Sequence, residues 1–274
     1  MTEMKGRNHE VTTRHPLLTA EGTLMEPGWS RQLLQMYDRR AIKAPKFRIK
    51  EWDYYLVLNE DFAGAFTLSD DGYIGLQSVS LLNLKEGWEH TETILNALPM
   101  GKFHMPPTSE AGTIRYKDDR LQMTFFKGPG KRGIACRFED FWEGKTFACK
   151  IELVQPPMDT MVIATPWKEN RRAFYYNQKI NTMRASGWMK FDGKEYVFNP
   201  ATDFGTLDWG AVSGPTIIAG TGDRATGSWT GSRSGSTSGT GSATRARHPR
   251  TCCFMTVSAT SSMTWSSIFR KTAI

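Results

Sequence analysis

Apolar and polar positions alternate at a period of two along much of the chain between Phe47 and Asn199, the spacing of half-buried strands. Residues 50–58 are rich in aromatic and β-branched side chains and stop at Asn59-Glu60-Asp61. Residues 62–68 follow and end at the turn signal Asp70-Asp71-Gly72, after which residues 73–82 resume the pattern. Residues 112–117 pair with 120–126 across Asp118-Asp119 as a tight hairpin, and Gly128-Pro129-Gly130 turns the chain again. Further strands are expected over 134–141, 146–154, 161–165, 173–178 and 196–199. Glu86-Gly87, Pro99, Pro106 and Pro107 predict a loop-rich stretch between 86 and 107.

The front of the chain reads differently. Residues 1–27 are a polar, extended lead-in anchored by Leu17, Leu18, Leu24 and Met25. Residues 30–37 predict a short helix, with Ser30 as N-cap and Leu33, Leu34 and Tyr37 on one face, and Pro45 closes anything helical. Turn signals recur at short spacing without long helices between them, which argues against a βαβ sheet. The expected fold class is therefore mainly β, an antiparallel β-barrel or sandwich of lipocalin-like type, incomplete at its C-terminus. Three segments are expected: a lead-in over 1–45, a β domain over 46–210 and a tail over 211–274.

Composition supports a core and narrows the partners. Of 274 residues 39% are hydrophobic and 12% aromatic, yet no run approaches the roughly 20 apolar residues of a membrane helix. The first ten residues lack an apolar stretch, so no secretory signal is expected and the predicted compartment is cytoplasmic. Four cysteines form no C-x-x-C pair and are expected as reduced thiols. Of the net charge of +7, +6 resides in the tail. Of the 35 basic residues 7 follow Gly210, and of the 28 acids only Asp223 does, so residues 1–210 carry 28 against 27. Aromatic side chains and positive charge thus lie in different segments, which argues against a nucleic-acid partner.

Catalytic motifs are scarce. Phosphate-cradling loops, zinc-protease and nucleophile-elbow signatures are absent from the sequence, and no histidine sits with carboxylates at ligand spacing, so neither metal nor cofactor is expected. Glu51 and Asp53 lie at i, i+2 on a strand and share a face, where two carboxylates can divide acid and base roles. The structural reading of the same pair is a solvent face with Trp52 pointing inward. Asp208-Trp209 offers a carboxylate beside an aromatic wall, or a structural Asp beside a core Trp.

Residues 46–55 (Lys46-Phe47-Arg48-Ile49-Lys50-Glu51-Trp52-Asp53-Tyr54-Tyr55), 174–181 (Phe174-Tyr175-Tyr176-Asn177-Gln178-Lys179-Ile180-Asn181) and 203–210 (Asp203-Phe204-Gly205-Thr206-Leu207-Asp208-Trp209-Gly210) resemble a bacterial family known as domain of unknown function 2804. Gly28-Trp29-Ser30-Arg31 is also similar, and the resemblance spans about residues 20–210. The family has no assigned activity. The Asp-Trp-Gly strand end is similar, at the level of fold alone, to the lipocalin-like double barrels of carotenoid hydratases and tocopherol cyclases. The first functional expectation is a lipocalin-like module that encloses a lipophilic small molecule among Trp52, Tyr54, Tyr176, Asn177 and Trp209. The second is a hydratase, cyclase or isomerase with Asp208 as proton donor and Glu51 or Asp53 as the other carboxylate. A third, carbohydrate binding or processing, requires exposed Trp residues along an open groove. Oligomeric state is not encoded in any of these patterns.

The tail breaks the pattern. Residues 211–250 contain 22 Gly, Ser or Thr out of 40, the composition of a flexible linker, whereas the family resemblance calls for further aromatic strands. Reading each codon from the third base of its predecessor converts Trp229-Thr230, Met255-Thr256 and Met263-Thr264 to Asp, and Phe254-Met255 to Tyr or His. The shifted frame permits an alternating aromatic pattern with Asp-Gly turns. Residues 211–274 are therefore expected to be out-of-frame translation and disordered. Resequencing across the Gly210 codon is expected to find a one-base discontinuity. A continuous frame, together with a Cys252-Cys253 peptide in the mass spectrum of the protein, would contradict it.

Overall fold

The computed structural model describes residues 9–214, 219–229 and 232–242. Its strands in chain order are β1 (His15–Pro16), β2 (Gly28–Ser30), β3 (Gln35–Met36), β4 (Ile49–Leu58), β5 (Phe62–Asp70), β6 (Ile74–Asn83), β7 (Trp88–Ala97), β8 (Gly112–Lys117), β9 (Leu121–Gly128), β10 (Lys131–Trp142), β11 (Lys145–Val154), β12 (Met161–Pro166), β13 (Phe174–Phe191), β14 (Lys194–Phe198), β15 (Phe204–Ser213), β16 (Ala219–Trp229) and β17 (Ser232–Ser242). Two 3-10 turns, Arg39–Ala41 and Lys46–Arg48, lead into β4.

One antiparallel sheet organises the chain, in the order β7-β6-β5-β4-β15-β13-β11-β10-β9-β8, with β12, β14 and β2 attached off this path. Its centre is β13, 18 residues long. One edge of β13 pairs first with β12 and then with β11, and the other pairs first with β15 and then with β14. The partners change at a bulge between Ile180 and Met183, where Thr182 takes φ 57°. A bulge bends the strand and increases its twist. The sheet accordingly curls into a half-barrel whose two arms face each other. Tyr55 on β4 meets Phe125 on β9 edge-on at 4.9 Å, and Phe66 on β5 lies 6.3 Å from Phe147 on β11. Burial on β4 alternates strictly, with Ile49, Glu51, Asp53, Tyr55 and Val57 inward. Each large aromatic buried in this seam contributes about 2–3 kcal/mol of hydrophobic stabilisation.

Mainly antiparallel β is what the periodicity predicts, and the elements depart from expectation in four places. Residues 30–37 are not helical: β2 pairs with β12, Gln35 is buried, and Tyr37 turns inward to Glu51. Ser30 Oγ donates to Gln32 O at 2.7 Å instead of capping a helix, so tertiary pairing overrides a weak local propensity. Residues 88–97, expected as loop, form the edge strand β7. Both of its faces are only part-buried or exposed, which leaves no apolar alternation to read. Strand β13 runs on past Gln178: Lys179, Asn181 and Thr182 are buried around the bulge, and residues 184–191 beyond it pair with β11 and β14. Beyond Gly210, β15 continues through buried Ala211, Val212 and Ser213, and β16 pairs with β17 as a hairpin where disorder was expected. Residues 215–218, 230–231 and 243–274, with the Cys252-Cys253 pair, lie outside the described residues.

Phe125 is wholly buried at the seam between the arms. Phe125→Ala is expected to cost about 3–5 kcal/mol in urea unfolding, the range for a fully buried aromatic. A loss below about 1 kcal/mol would mean that the arms do not pack as described.

Candidate functional site

Strands β4, β15 and β13 lie side by side, and their alternation divides the predicted site residues between two faces. Glu51 and Asp53 point inward, with Tyr176 and Trp209. Trp52, Tyr54, Asn177 and Asp208 occupy the opposite face. The two carboxylates do share a face, as their spacing requires, but that face is the core and not solvent. The eight residues therefore do not form one site, because neighbours in sequence on a strand are on opposite sides of the sheet.

On the outer face three donors converge on the Asp208 carboxylate. Trp52 Nε1 donates at 2.9 Å, Asn177 Nδ2 at 2.6 Å, and Lys179 Nζ closes an ion pair. Asn177 Nδ2 also donates to Trp209 O at 2.8 Å. Gly210, two residues along the same face, leaves room for the indole: a Cβ there would lie 2.6 Å from Trp52 Cζ2 and 2.8 Å from Tyr176 O. Trp209 points the other way and packs edge-on against Tyr37 and Tyr176 at 6.3 and 5.7 Å. The Asp-Trp-Gly run thus has a packing explanation at each position. Asp208 holds the Trp52 indole, Gly210 admits it, and Trp209 fills the core. Tyr176 is fully buried, with its hydroxyl donating to Gln35 O at 2.6 Å. Tyr176 and Trp209, expected as ligand contacts, are core residues.

The inner face carries charge into the core. Tyr37 donates to Glu51 Oε1 at 2.7 Å, and Arg39 pairs with Oε2. Burial raises the Glu51 pKa above the usual carboxylate range, against the opposing pull of Arg39 and Tyr37. Lys127 Nζ lies 2.8 Å from Asp53 Oδ2 and donates to Oδ1 at 3.0 Å, both side chains being wholly buried. Burial pushes Asp53 up and Lys127 down, so each is moved toward its neutral form. Tyr55 lies beside this pair, and burial raises its hydroxyl pKa as well.

The opposite end of the half-barrel is an aromatic mouth that the sequence reading missed. Hairpin β10–β11 turns at Glu143-Gly144 and hairpin β13–β14 at Asp192-Gly193. All four turn residues have φ between 50° and 76°, the backbone of a two-residue type I′ turn. The same sequence pattern, aromatic-acid-Gly-Lys, recurs at 142–145 and 191–194 and is the signal that could have found the mouth. These tips and the β6–β7 turn surround a cleft of about 470 Å³ lined by Trp88, Trp142, Phe191 and Tyr196. Trp142 stacks on His90 at 4.7 Å and on Phe191 at 5.8 Å. The rim carries ion pairs, Lys145 with Asp192 at 2.8 Å and Lys194 with Glu86 at 3.6 Å. Among the described residues no group of three or more His, Cys, Asp or Glu could hold a metal ion. No helix among them is long and apolar enough to cross a membrane.

A model of the family described as "Domain of unknown function (DUF2804)" matches residues 8–211. The chain belongs to this family. No curated protein matches the chain. Among solved structures, a Nitrosomonas europaea protein assigned as AttH is similar at 13% identity and TM-score 0.45, over 72% of this chain and 62% of its own. CghA is similar at 11% identity and TM-score 0.42, over 86% of this chain and 66% of its own. The DUF2804 chain thus spans less than two thirds of the length of either structure. Neither likeness bears on function.

The raised pKa of Glu51 fixes a sign for pH dependence. The folded state holds that proton more tightly than the unfolded chain, whose value is about 4.3. Its stabilising contribution is complete below that value and is lost as pH rises through the folded pKa. The stability difference between wild type and Glu51→Gln, from urea unfolding between pH 4 and 7, is expected to move against wild type as pH rises. A difference that moves in its favour would mean that Arg39 outweighs burial.

Proposed function

We propose that this DUF2804 chain is a lipocalin-like binding module for a lipophilic small molecule, seated in the aromatic mouth. The observation that carries this reading is the cleft of about 470 Å³ lined by Trp88, Trp142, Phe191 and Tyr196. Its volume lies within the roughly 300–1,000 Å³ of small-ligand sites, and barrel mouths are a preferred location for them. Aromatic walls supply apolar contact area at low conformational cost. The concave interior is a poorer candidate, because Tyr55, Phe66, Phe125, Phe138 and Phe147 fill it. A carbohydrate reading is also less favoured, since the Trp142 ring already stacks on His90 and Phe191.

An enzyme of hydratase, cyclase or isomerase type is the second reading, favoured by a separate observation. Asp53 and Lys127 form a wholly buried pair with both pKa values moved toward neutrality, the condition for proton transfer near neutral pH. Asp208 is a poorer proton donor, because Trp52, Asn177 and Lys179 all donate to it. Deuterium uptake from D2O into a bound lipophile, lost in Asp53→Asn, is what this reading requires. Uptake that survives the substitution would dismiss it.

Native-state organic extraction followed by mass spectrometry is expected to release an apolar compound. The neutral probe N-phenyl-1-naphthylamine is expected to bind with blue-shifted fluorescence, and Trp88→Ala to weaken it by about tenfold or more, about 1.4 kcal/mol. Absence of both the compound and probe binding, or binding indifferent to Trp88→Ala, would overturn the proposal.

A further inference from the structure

At the end of the half-barrel away from the mouth, hairpin β9–β10 places Lys127 directly opposite Arg132. Like charges at directly opposed positions of a sheet repel, and here both point inward. Lys127 has no exposed side-chain surface and Arg132 is 3% exposed. Asp53 is the carboxylate that meets this pair, through Lys127. Arg132 has neutral acceptors instead: Gln155 Oε1 at 2.6 Å, Ser109 O at 3.2 Å and Met183 Sδ at 3.7 Å. Its Nε makes no well-formed hydrogen bond, and the buried Tyr55 hydroxyl beside Arg132 interacts with it only weakly. The other inward carboxylates are engaged elsewhere, Glu51 by Tyr37 and Arg39, Asp70 by the amides of Gly72 and Gly101 at 3.1 and 2.7 Å. Two buried cations therefore share one carboxylate. A buried charge without a counter-charge is costly, and a donor left over in the core marks a missing partner.

We propose that Lys127 and Arg132 form an anion subsite for a carboxylate-bearing organic molecule, beneath the loop of residues 98–111 and separate from the aromatic mouth. One negative charge balances the surplus, and a planar carboxylate matches the guanidinium edge that Nε presents. The loop supplies the stand-ins. Thr108 O accepts from Lys127 at 3.3 Å and Ser109 O from Arg132 at 3.2 Å, both longer than the 2.7–2.9 Å of charge-assisted bonds. A carboxylate replaces these two carbonyls, and the loop withdraws to admit it. Leu98, Met100 and His104, all at φ near 50° in that loop, hold a backbone region sparsely populated by residues with a side chain, which withdrawal releases.

The test is thermal unfolding of the full 274-residue chain at constant ionic strength with acetate, butyrate and hexanoate, against the matched alcohols and inorganic phosphate. Carboxylates are expected to raise Tm saturably, by about 3 °C or more at saturation. The alcohols and phosphate are not. Arg132→Gln is expected to lose the response while Trp88→Ala keeps it, which separates this subsite from the mouth. A wild-type response no larger for carboxylates than for alcohols or phosphate overturns the proposal, as does a full response in Arg132→Gln. If Arg132→Gln does not fold, the comparison of carboxylate with alcohol on wild type and Trp88→Ala decides.

Discussion

The fold depends on how Trp52 is held across three adjacent strands. Its indole lies over Gly210 of β15, donates to Asp208 of the same strand, and through Asp208 is tied to Asn177 and Lys179 of β13. On the reverse of the same strands Trp209 is wedged between Tyr37 and Tyr176. Strand β13 in turn carries β11 and β12 on its other edge. The Asp-Trp-Gly run is thus the point at which the two arms of the half-barrel are joined, outer polar contacts and inner aromatic packing meeting at consecutive residues.

With the arms fixed, the two ends of the half-barrel take different characters. One end is aromatic and open, its cleft framed by two type I′ turns of the same sequence pattern. The other is closed by the loop of residues 98–111 over buried charge, where Lys127 and Arg132 face Asp53. Hydrophobic packing between the arms supplies the stability that lets such charges remain inside, since a buried ion pair contributes little net stability of its own. The proposed lipophile belongs to the open end and the proposed carboxylate to the closed one.

The strands were legible where one face is buried and the other is not. The alternation of Ile49, Glu51, Asp53, Tyr55 and Val57 with less buried neighbours gives β4 directly. Legibility failed where that contrast is missing. Strand β7 buries neither face, and the middle of β13 is buried with polar residues such as Asn181 and Thr182. The candidate site was legible in its residue types but not in its geometry. Glu51, Asp53 and Asp208 were identified, yet only pairing across β4, β15 and β13 reveals that Asp208 faces away from the other two. Lys127 and Arg132 gave no signal in sequence, because a Lys before a Gly-Pro-Gly turn and an Arg after it read as solvated hairpin ends. Their burial comes from the loop of residues 98–111, a long-range contact. Trp88 and Trp142 gave no signal in sequence, because each lies next to a turn and only the folded hairpins bring them to one cleft.

The central claim is that Asp208 clamps Trp52 across β4, β15 and β13. A double-mutant cycle of Trp52→Phe and Asp208→Asn, read by urea unfolding and by N-phenyl-1-naphthylamine binding, tests it most directly. The account predicts a coupling energy of about 1.5–3 kcal/mol in stability, the value of a hydrogen bond to a charged group, with probe binding unchanged in the folded variants. Additive effects on stability, combined with loss of probe binding in Asp208→Asn alone, would contradict it.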